Sequence, residues 1–263
     1  MTKITMLGTG HAAVTECYNT CFVVENENGC LLVDCGGGNG ILKQLKRAGK
    51  TVNDISAVFI THAHTDHITG AVWVLRMMGR RFQQEGASDV TVYANAECIE
   101  VIDAMARGML SSVTKPYDYA GGHIHLKTLE DGEHFSAIGL DFTAFSIGSV
   151  NKLQFGFKCE YEPGKYLVCL GDESYRDESY EYAKGADWLM HEAFNAEQGR
   201  GPSHHGSARR AGSNAAMLGV KNLIIYHTEE SDLAHRKEIY SKIAKEEFSG
   251  GVFVPDDIET IVL

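Results

Sequence analysis

The 263-residue chain carries 24 Lys and Arg against 35 Asp and Glu, a formal charge of −11, and 44% of its residues are apolar. That apolar content can bury a substantial core and excludes global disorder. The acidic balance argues against binding nucleic acid through the overall field of the protein, although a bound metal can invert charge locally. Seven Cys (17, 21, 30, 35, 98, 159 and 169) are odd in number and scattered. They read as free thiols in a reducing compartment rather than as a disulfide framework or a zinc knuckle. The opening residues turn polar too quickly for a signal peptide, and no apolar run approaches the ~20 residues needed to cross a bilayer. A cytoplasmic protein with no membrane segment is expected.

In chain order, Ile4 to Leu7 reads as a strand ending at Gly8-Thr9-Gly10. Cys21 to Glu25 and Cys30 to Asp34 are apolar runs joined by a hairpin turn ending in Asn28-Gly29. Gly36-Gly37-Gly38 breaks the strand, and Ile41, Leu42 and Leu45 give a helical stripe within 41–50. Ile55 to Ile60 is a buried strand that runs into a His-rich segment. Ile68 to Phe82 has helical spacing, Val90 to Tyr93 is a strand and Ala96 to Ala106 a helix. Gly108 to Gly122 is poorly patterned. It is expected to be a surface excursion, with Met109 to Gly122 lining either a substrate groove or a dimer contact.

From His125 to Leu170 the pattern predicts consecutive antiparallel strands, including Leu140 to Ile147, Leu153 to Glu160 and Tyr166 to Leu170. Short strands follow at Trp188 to His191, Leu223 to Tyr226 and Val252 to Val254, with helices over Ala208 to Leu218 and Leu233 to Phe248. Strands and helices in the first half, repeated in the second, predict two packed sheets with helices outside: a four-layer α/β sandwich in one domain spanning 1–263.

The segment Thr61-His-Ala-His-Thr-Asp-His67 concentrates His62, His64, Asp66 and His67 between a strand and a helix. Alternate residues at a strand end point the same way, so His62 and His64 can share one ligand. Asp66 and His67 follow the turn and can reach a second point. Imidazole with carboxylate suits zinc, and also manganese or iron.

This segment resembles the HxHxDH signature of the metallo-β-lactamase superfamily, and the resemblance extends over nearly the whole chain. Leu7-Gly-Thr-Gly10 resembles the family's first turn. Leu32-Val-Asp-Cys-Gly36 resembles the segment whose Asp supports the metal site from behind, which implies that role for Asp34. Gly171-Asp172 resembles the family's GD, whose carboxylate bridges two metals, and His227 after Tyr226 resembles its last metal-ligand His. The likeness is greatest to the tRNase Z (ribonuclease Z)-like branch, through Met190-His-Glu-Ala-Phe194 and His205-Gly-Ser-Ala208. It implies an αββα sandwich, a metal site of His62, His64, Asp66, His67, Asp172 and His227, and catalytic roles for Asp66, His205 and Glu192. Glu192 would orient His205, the general acid. His204 is adjacent and easily confused with it, and His191 is expected to be structural.

Two departures qualify the resemblance. The family's further His ligand should fall near 147–150, but no His occurs between Phe135 and Met190, and Ser149 is the aligned occupant. Four ligands remain for one ion (Asp66, His67, Asp172, His227) and three for the other (His62, His64, Asp172). One or two zinc ions per chain are therefore expected, one held firmly and one weakly, with manganese or iron as alternatives. His123, His125 and His134 read as surface residues rather than replacements. The second departure is length: residues 150–171 leave no room for the arm that grips tRNA.

A metal-dependent hydrolase of phosphodiester bonds is expected, acting on a small phosphodiester or short nucleotide, with tRNA disfavoured. The alternatives are a lactonase, thioesterase or lactamase-like enzyme of the same fold, and a metal-binding protein without turnover. Whether the chain forms a homodimer is left open.

Overall fold

Two-residue alternation decides how this chain is layered. In the strand Cys21–Asn26, Phe22 and Val24 project to one side while Cys21 and Val23 project to the other, and both sides are apolar. A strand apolar on both faces must be covered on both. The computed structural model, which describes residues 1–81, 88–110, 123–197 and 205–263, shows how this is met.

The first half contains β1 (Lys3–Gly8), β2 (Cys21–Asn26), β3 (Gly29–Val33), α1 (Gly40–Arg47), β4 (Ile55–Ile60), α2 (Thr65–Ile68), α3 (Ala71–Arg81), β5 (Val90–Ala94), α4 (Ala96–Met109) and β6 (Ile124–Thr128). The second contains β7 (His134–Ala137), β8 (Leu140–Ser146), β9 (Phe155–Glu162), β10 (Lys165–Cys169), α5 (Tyr180–Ala183), β11 (Trp188–Glu192), α6 (Ala208–Leu218), β12 (Asn222–Tyr226), α7 (Arg236–Glu247), β13 (Gly251–Phe253) and β14 (Thr260–Val262). Among the described residues these strands form two seven-stranded sheets, ordered β14-β1-β2-β3-β4-β5-β6 and β13-β12-β11-β10-β9-β8-β7.

Three apolar clusters separate four layers. Between the sheets lie Phe22, Phe59, Phe135, Phe142 and Phe157, with Phe59 stacked on Phe135 at 5.6 Å and edge-on to Phe157 at 5.6 Å. Outside the first sheet, Ile41, Leu45, Val74, Met78, Cys98 and Ile102 bring α1, α3 and α4 against it. Outside the second, Ala208, Ala211, Ala215, Tyr240 and Ala244 dock α6 and α7. The helices outside and the sheets inside make the αββα sandwich that the element order predicts. Six of the seven Cys are buried and none is paired. No helix among the described residues is long and apolar enough to cross a membrane.

Several local readings change. β6 does not begin the antiparallel run expected from His125 onward. It pairs in parallel with β5 at the edge of the first sheet, after the α4 crossover. The helical spacing of 68–82 is split into α2 and α3. Gly70 lies between them, donating its amide to the Gly36 carbonyl, and a Cβ there would sit 1.9 Å from the Cys35 carbonyl oxygen. That close approach holds the start of α3 against the turn after β3. The β2–β3 hairpin turns at Glu27 and Asn28, one residue earlier than the Asn28-Gly29 pair suggests, since Asn26 pairs with Gly29. β14 was not foreseen, and it completes the first sheet beside β1. Most of the poorly patterned stretch, residues 111–122 with Tyr117 and Tyr119, lies outside the described residues, as does His204.

The arrangement matters because β3, β4, β5 and β6 run parallel in one sheet, and β10, β11, β12 and β13 run parallel in the other. Segments leaving the carboxyl ends of parallel strands are where open α/β sheets place ligands.

Candidate metal centre and cleft

Five of the chemistry-bearing residues leave the carboxyl end of a strand, Asp34 after β3, His62 and His64 after β4, Asp172 after β10 and His227 after β12, while Asp66 and His67 follow in α2. Glu192 is the last residue of β11. Asp34 and His227 both adopt left-handed backbone, each at φ 57°. That conformation is uncommon for residues other than Gly and is retained where a side chain must be aimed.

Asp34 organises the site from behind. Its Oδ1 accepts the Thr61 amide at 2.8 Å, and its Oδ2 accepts the Thr61 hydroxyl at 2.8 Å and faces His67 Nδ1 at 2.7 Å. A carboxylate only accepts, so His67 Nδ1 carries the proton, and the neutral ring is left with a lone pair on Nε2. The same logic reaches His62. Its Nδ1 lies 2.9 Å from the Thr61 hydroxyl, whose single proton already goes to Asp34. His62 Nδ1 therefore donates, and its Nε2 also faces the site as an acceptor.

Four ligand atoms, from Asp66, His67, Asp172 and His227, lie within 4.8 Å of one another and are all buried. His67 Nε2 is 3.3 Å from Asp66 Oδ2 and 3.4 Å from Asp172 Oδ2, and His227 Nε2 is 3.4 Å from Asp66 Oδ2. A second group comprises His62, half-buried His64 and Asp172, with His62 Nε2 2.9 Å from His64 Nδ1 and 3.4 Å from Asp172 Oδ2. Asp172 is common to both.

Carboxylates and imidazoles shift one another strongly in this cluster. Burial would push the Asp66 and Asp172 carboxyls up, yet the neighbouring imidazoles, His67 first for Asp66 and His62 first for Asp172, hold both well below the usual range. Burial would likewise push His67 down, but Asp34 and then Asp66 hold it well above the ordinary imidazole value. His64, by contrast, is lowered by burial and by His62. His67 Nε2 and Asp172 Oδ1 are buried with no hydrogen-bond partner among the described residues. Buried polar atoms without partners are costly unless a water or an ion satisfies them. Imidazole lone pairs and carboxylates converging on one point fit a divalent metal ion.

Ser149 does not turn to this cluster. Its hydroxyl donates to the buried Glu173 carboxylate, which also accepts from Gln154 Nε2 at 3.4 Å and faces Arg176 Nε at 3.5 Å. His123 and His125 both pair with Asp89 at the surface, and His134 with the Thr143 hydroxyl, so all three lie away from the cluster. His191 is enclosed, with Nε2 on Asn214 and the Tyr175 amide and Nδ1 on the Glu192 carbonyl.

A cleft of about 520 Å³ opens over the cluster, lined by Ala63, His64, Thr65, Asp66, Asp172 and His227 together with His11, Ala12, Phe194 and His205. Glu192, fully buried, accepts the Phe194 amide at 3.1 Å and the Gly206 amide, and its Oε2 lies 3.5 Å from His205 Nδ1. Burial pushes His205 down, but Glu192, with Asp172 adding, raises it above the ordinary value. His11 and Phe194 were not singled out from sequence. The only sequence signal for His11 is its place directly after Gly8-Thr9-Gly10.

Two sheets meeting at strand ends rich in His and Asp define the class: a metallo-β-lactamase-fold, ribonuclease Z-like protein. Ribonuclease Z from Natronomonas pharaonis is 27% identical over 303 aligned positions, covering 98% of this chain and 97% of that protein. The metallo-β-lactamase fold protein YhfI from Bacillus subtilis superposes with a TM-score of 0.79 at 20% identity, over the full length of both chains. A diphosphatase from the PhnP family superposes with 0.78 at 18% identity, over 100% of this chain and 98% of that one. Within this class the chain belongs to the family described as "Anti-Pycsar protein Apyc1", which matches residues 2–206.

Proposed function

We propose that the chain is a metal-dependent hydrolase of phosphodiester bonds, acting on a small phosphodiester or short nucleotide. The observation that carries this reading is the convergence of Asp66, His67, Asp172 and His227 on one buried point that opens into a cleft bearing His205. The relatives named ribonuclease Z and the diphosphatase neighbour support phosphorus chemistry over a lactam, lactone or thioester.

Asp66, His67, Asp172 and His227 would hold one ion firmly, and His62, His64 and Asp172 a second more weakly. Zinc suits this donor set best, with manganese or iron as alternatives. A divalent ion in this position lowers the pKa of water toward neutrality and polarises a phosphoryl oxygen. Asp34 and Thr61 fix the His67 and His62 rings so that Nε2 of each faces inward. Glu192 favours the protonated form of His205, and His205 delivers that proton to the leaving oxygen.

RNA is the substrate that the relatives' name suggests, but tRNA remains disfavoured. Residues 150–171 hold only a loop and the β9–β10 hairpin, which turns at Pro163 and Gly164, so no arm is inserted there. The net charge of −11 points the same way.

The test is a screen of bis-p-nitrophenyl phosphate and nucleotide cyclic diesters with added zinc or manganese. Activity abolished by Asp66→Ala is expected. His205→Ala should cost about 10²–10⁴-fold with a poor leaving group and far less with p-nitrophenolate. Silence across all diesters would overturn the reading.

A further inference from the structure

His11 belongs to neither ligand group, yet it stands in the same cleft, half-buried, with its ring centroid 4.4 Å from Phe194 and 6.4 Å from His227. Its loop is tied down at several points. The His11 amide donates to the Thr228 carbonyl at 3.2 Å, and its carbonyl accepts Asn19 Nδ2 at 2.8 Å. Glu230 accepts the amides of Thr15 and Glu16 at 2.7 Å. Beneath the loop, buried Arg236 donates to Thr9 Oγ1 at 2.9 Å, Thr228 Oγ1 at 3.0 Å and the Pro255 carbonyl at 2.8 Å. Thr228 and Glu230 belong to the segment that follows His227. The loop is thus held in register with the metal cluster itself.

The ring is also held in one tautomer. The Ala13 amide donates to His11 Nδ1 at 3.2 Å, so Nδ1 accepts and the proton of the neutral ring sits on Nε2. No hydrogen bond to another described residue uses that proton. A donor fixed by its own loop, on the Asp66 and His227 side of an otherwise acceptor-rich cleft, is complementary to an anionic oxygen.

We propose that His11 is a substrate-contacting residue, donating from Nε2 to a phosphoryl oxygen of the bound diester while its ring and Phe194 form the apolar side wall. This rests on the phosphodiesterase reading above. A purely structural role, packing against Phe194, would need the ring but not the proton, and two substitutions separate these. His11→Phe keeps the ring and removes the donor. His11→Gln removes the ring but places an amide N–H near the position of Nε2.

The experiment uses the full-length, metal-loaded protein and reads KM for bis-p-nitrophenyl phosphate, calorimetric affinity for inorganic phosphate, and the His11 ring nitrogens by NMR. For His11→Phe, unchanged metal content and melting temperature are expected. Its phosphate affinity should fall, and its KM should rise, by about three- to tenfold, the worth of one hydrogen bond. His11→Gln should recover most of that loss. In the wild type, Nε2 should be the protonated nitrogen, and its signal should shift when phosphate is added. An unaltered His11→Phe, a His11→Gln that is no better than His11→Phe, or an Nε2 signal indifferent to phosphate would each overturn the contact. The phosphate and NMR measurements need no turnover. A protein silent on every diester whose His11 still senses phosphate loses the proposed reaction but keeps the contact, and an active enzyme with an indifferent His11 does the reverse.

Discussion

Asp66, His67 and His227 reach Asp172 from two separate parts of the chain and are all buried, whereas His62 and His64 reach it from one strand end and His64 is half-exposed. Support from behind is equally uneven. Asp34 grips His67 directly but reaches His62 only through the Thr61 hydroxyl, and Ser149, which stands where the family places a further His ligand, is bonded to Glu173 instead. The two halves of one site thus share a carboxylate and differ in burial, in ligand number and in how their rings are held. Both groups draw on both sheets through Asp172, but the first takes His227 from the second sheet as well, whereas the second has Asp172 alone from that side.

That asymmetry can be broken most severely at Asp172. Asp172→Ala removes the one ligand common to both groups, so activity should fall to that of the metal-free protein and both ions should be lost on dialysis. His64→Ala should release only the weaker ion. Metal counted in the dialysed variants decides the matter: loss of both ions from His64→Ala would contradict the unequal halves, and retention of one by Asp172→Ala would show that Asp66, His67 and His227 suffice for the firm ion. A smaller effect is expected at Asp34. Asp34→Ala leaves every ligand in place but frees His67 Nδ1 from its 2.7 Å partner. Such supporting carboxylates are worth about 10–100-fold in metal affinity. Competition with a chelator should show that loss for the firm ion and a lesser one for the weak ion.

Much of this was readable in the sequence, for a physical reason. His62, His64, Asp66 and His67 are local, so the geometry of a strand end followed by a turn places them together without knowledge of the rest of the fold. Asp172 and His227 are distant in sequence, and the resemblance of their flanking strands to a known pattern supplied what spacing could not. The parallel pairing of β6 was not legible, because alternation reads the same for either strand direction and only the α4 crossover sets it. The break at Gly70 was hidden too, since apolar spacing continues through it and the constraint is the Cys35 carbonyl, 35 residues earlier. His11 lies in no motif, and Phe194 closes the Met190–Phe194 segment with no role read for it there. They enter the cleft because the segment after β12 captures one loop and Glu192 captures the other, contacts that exist only after folding.

The smallest effect expected is one of pH, and it sharpens the same comparison. In protein stripped of metal, Asp66 and Asp172 lie below their ordinary value of 3.8. Their contribution to stability is fully present above that pH and is lost as pH falls through their folded values. His67 lies above its ordinary value of 6.5, so its contribution is fully present below 6.5 and is lost as pH rises through its folded value. The stripped cluster therefore favours the folded state most between about pH 4 and 6.5. A bound ion would take the place of the His67 proton, because a ligating imidazole must be neutral. Its stabilisation should grow with pH while that proton still has to be displaced, by up to about 1.4 kcal/mol per pH unit for one proton. The gap in melting temperature between metal-loaded and chelator-treated protein should accordingly widen by several degrees from about pH 6 to 8. His64→Ala should leave that widening intact, because His67 belongs to the firm half. A gap that stays flat, or one that vanishes with His64→Ala, would place the stabilising ion in the other half of the site.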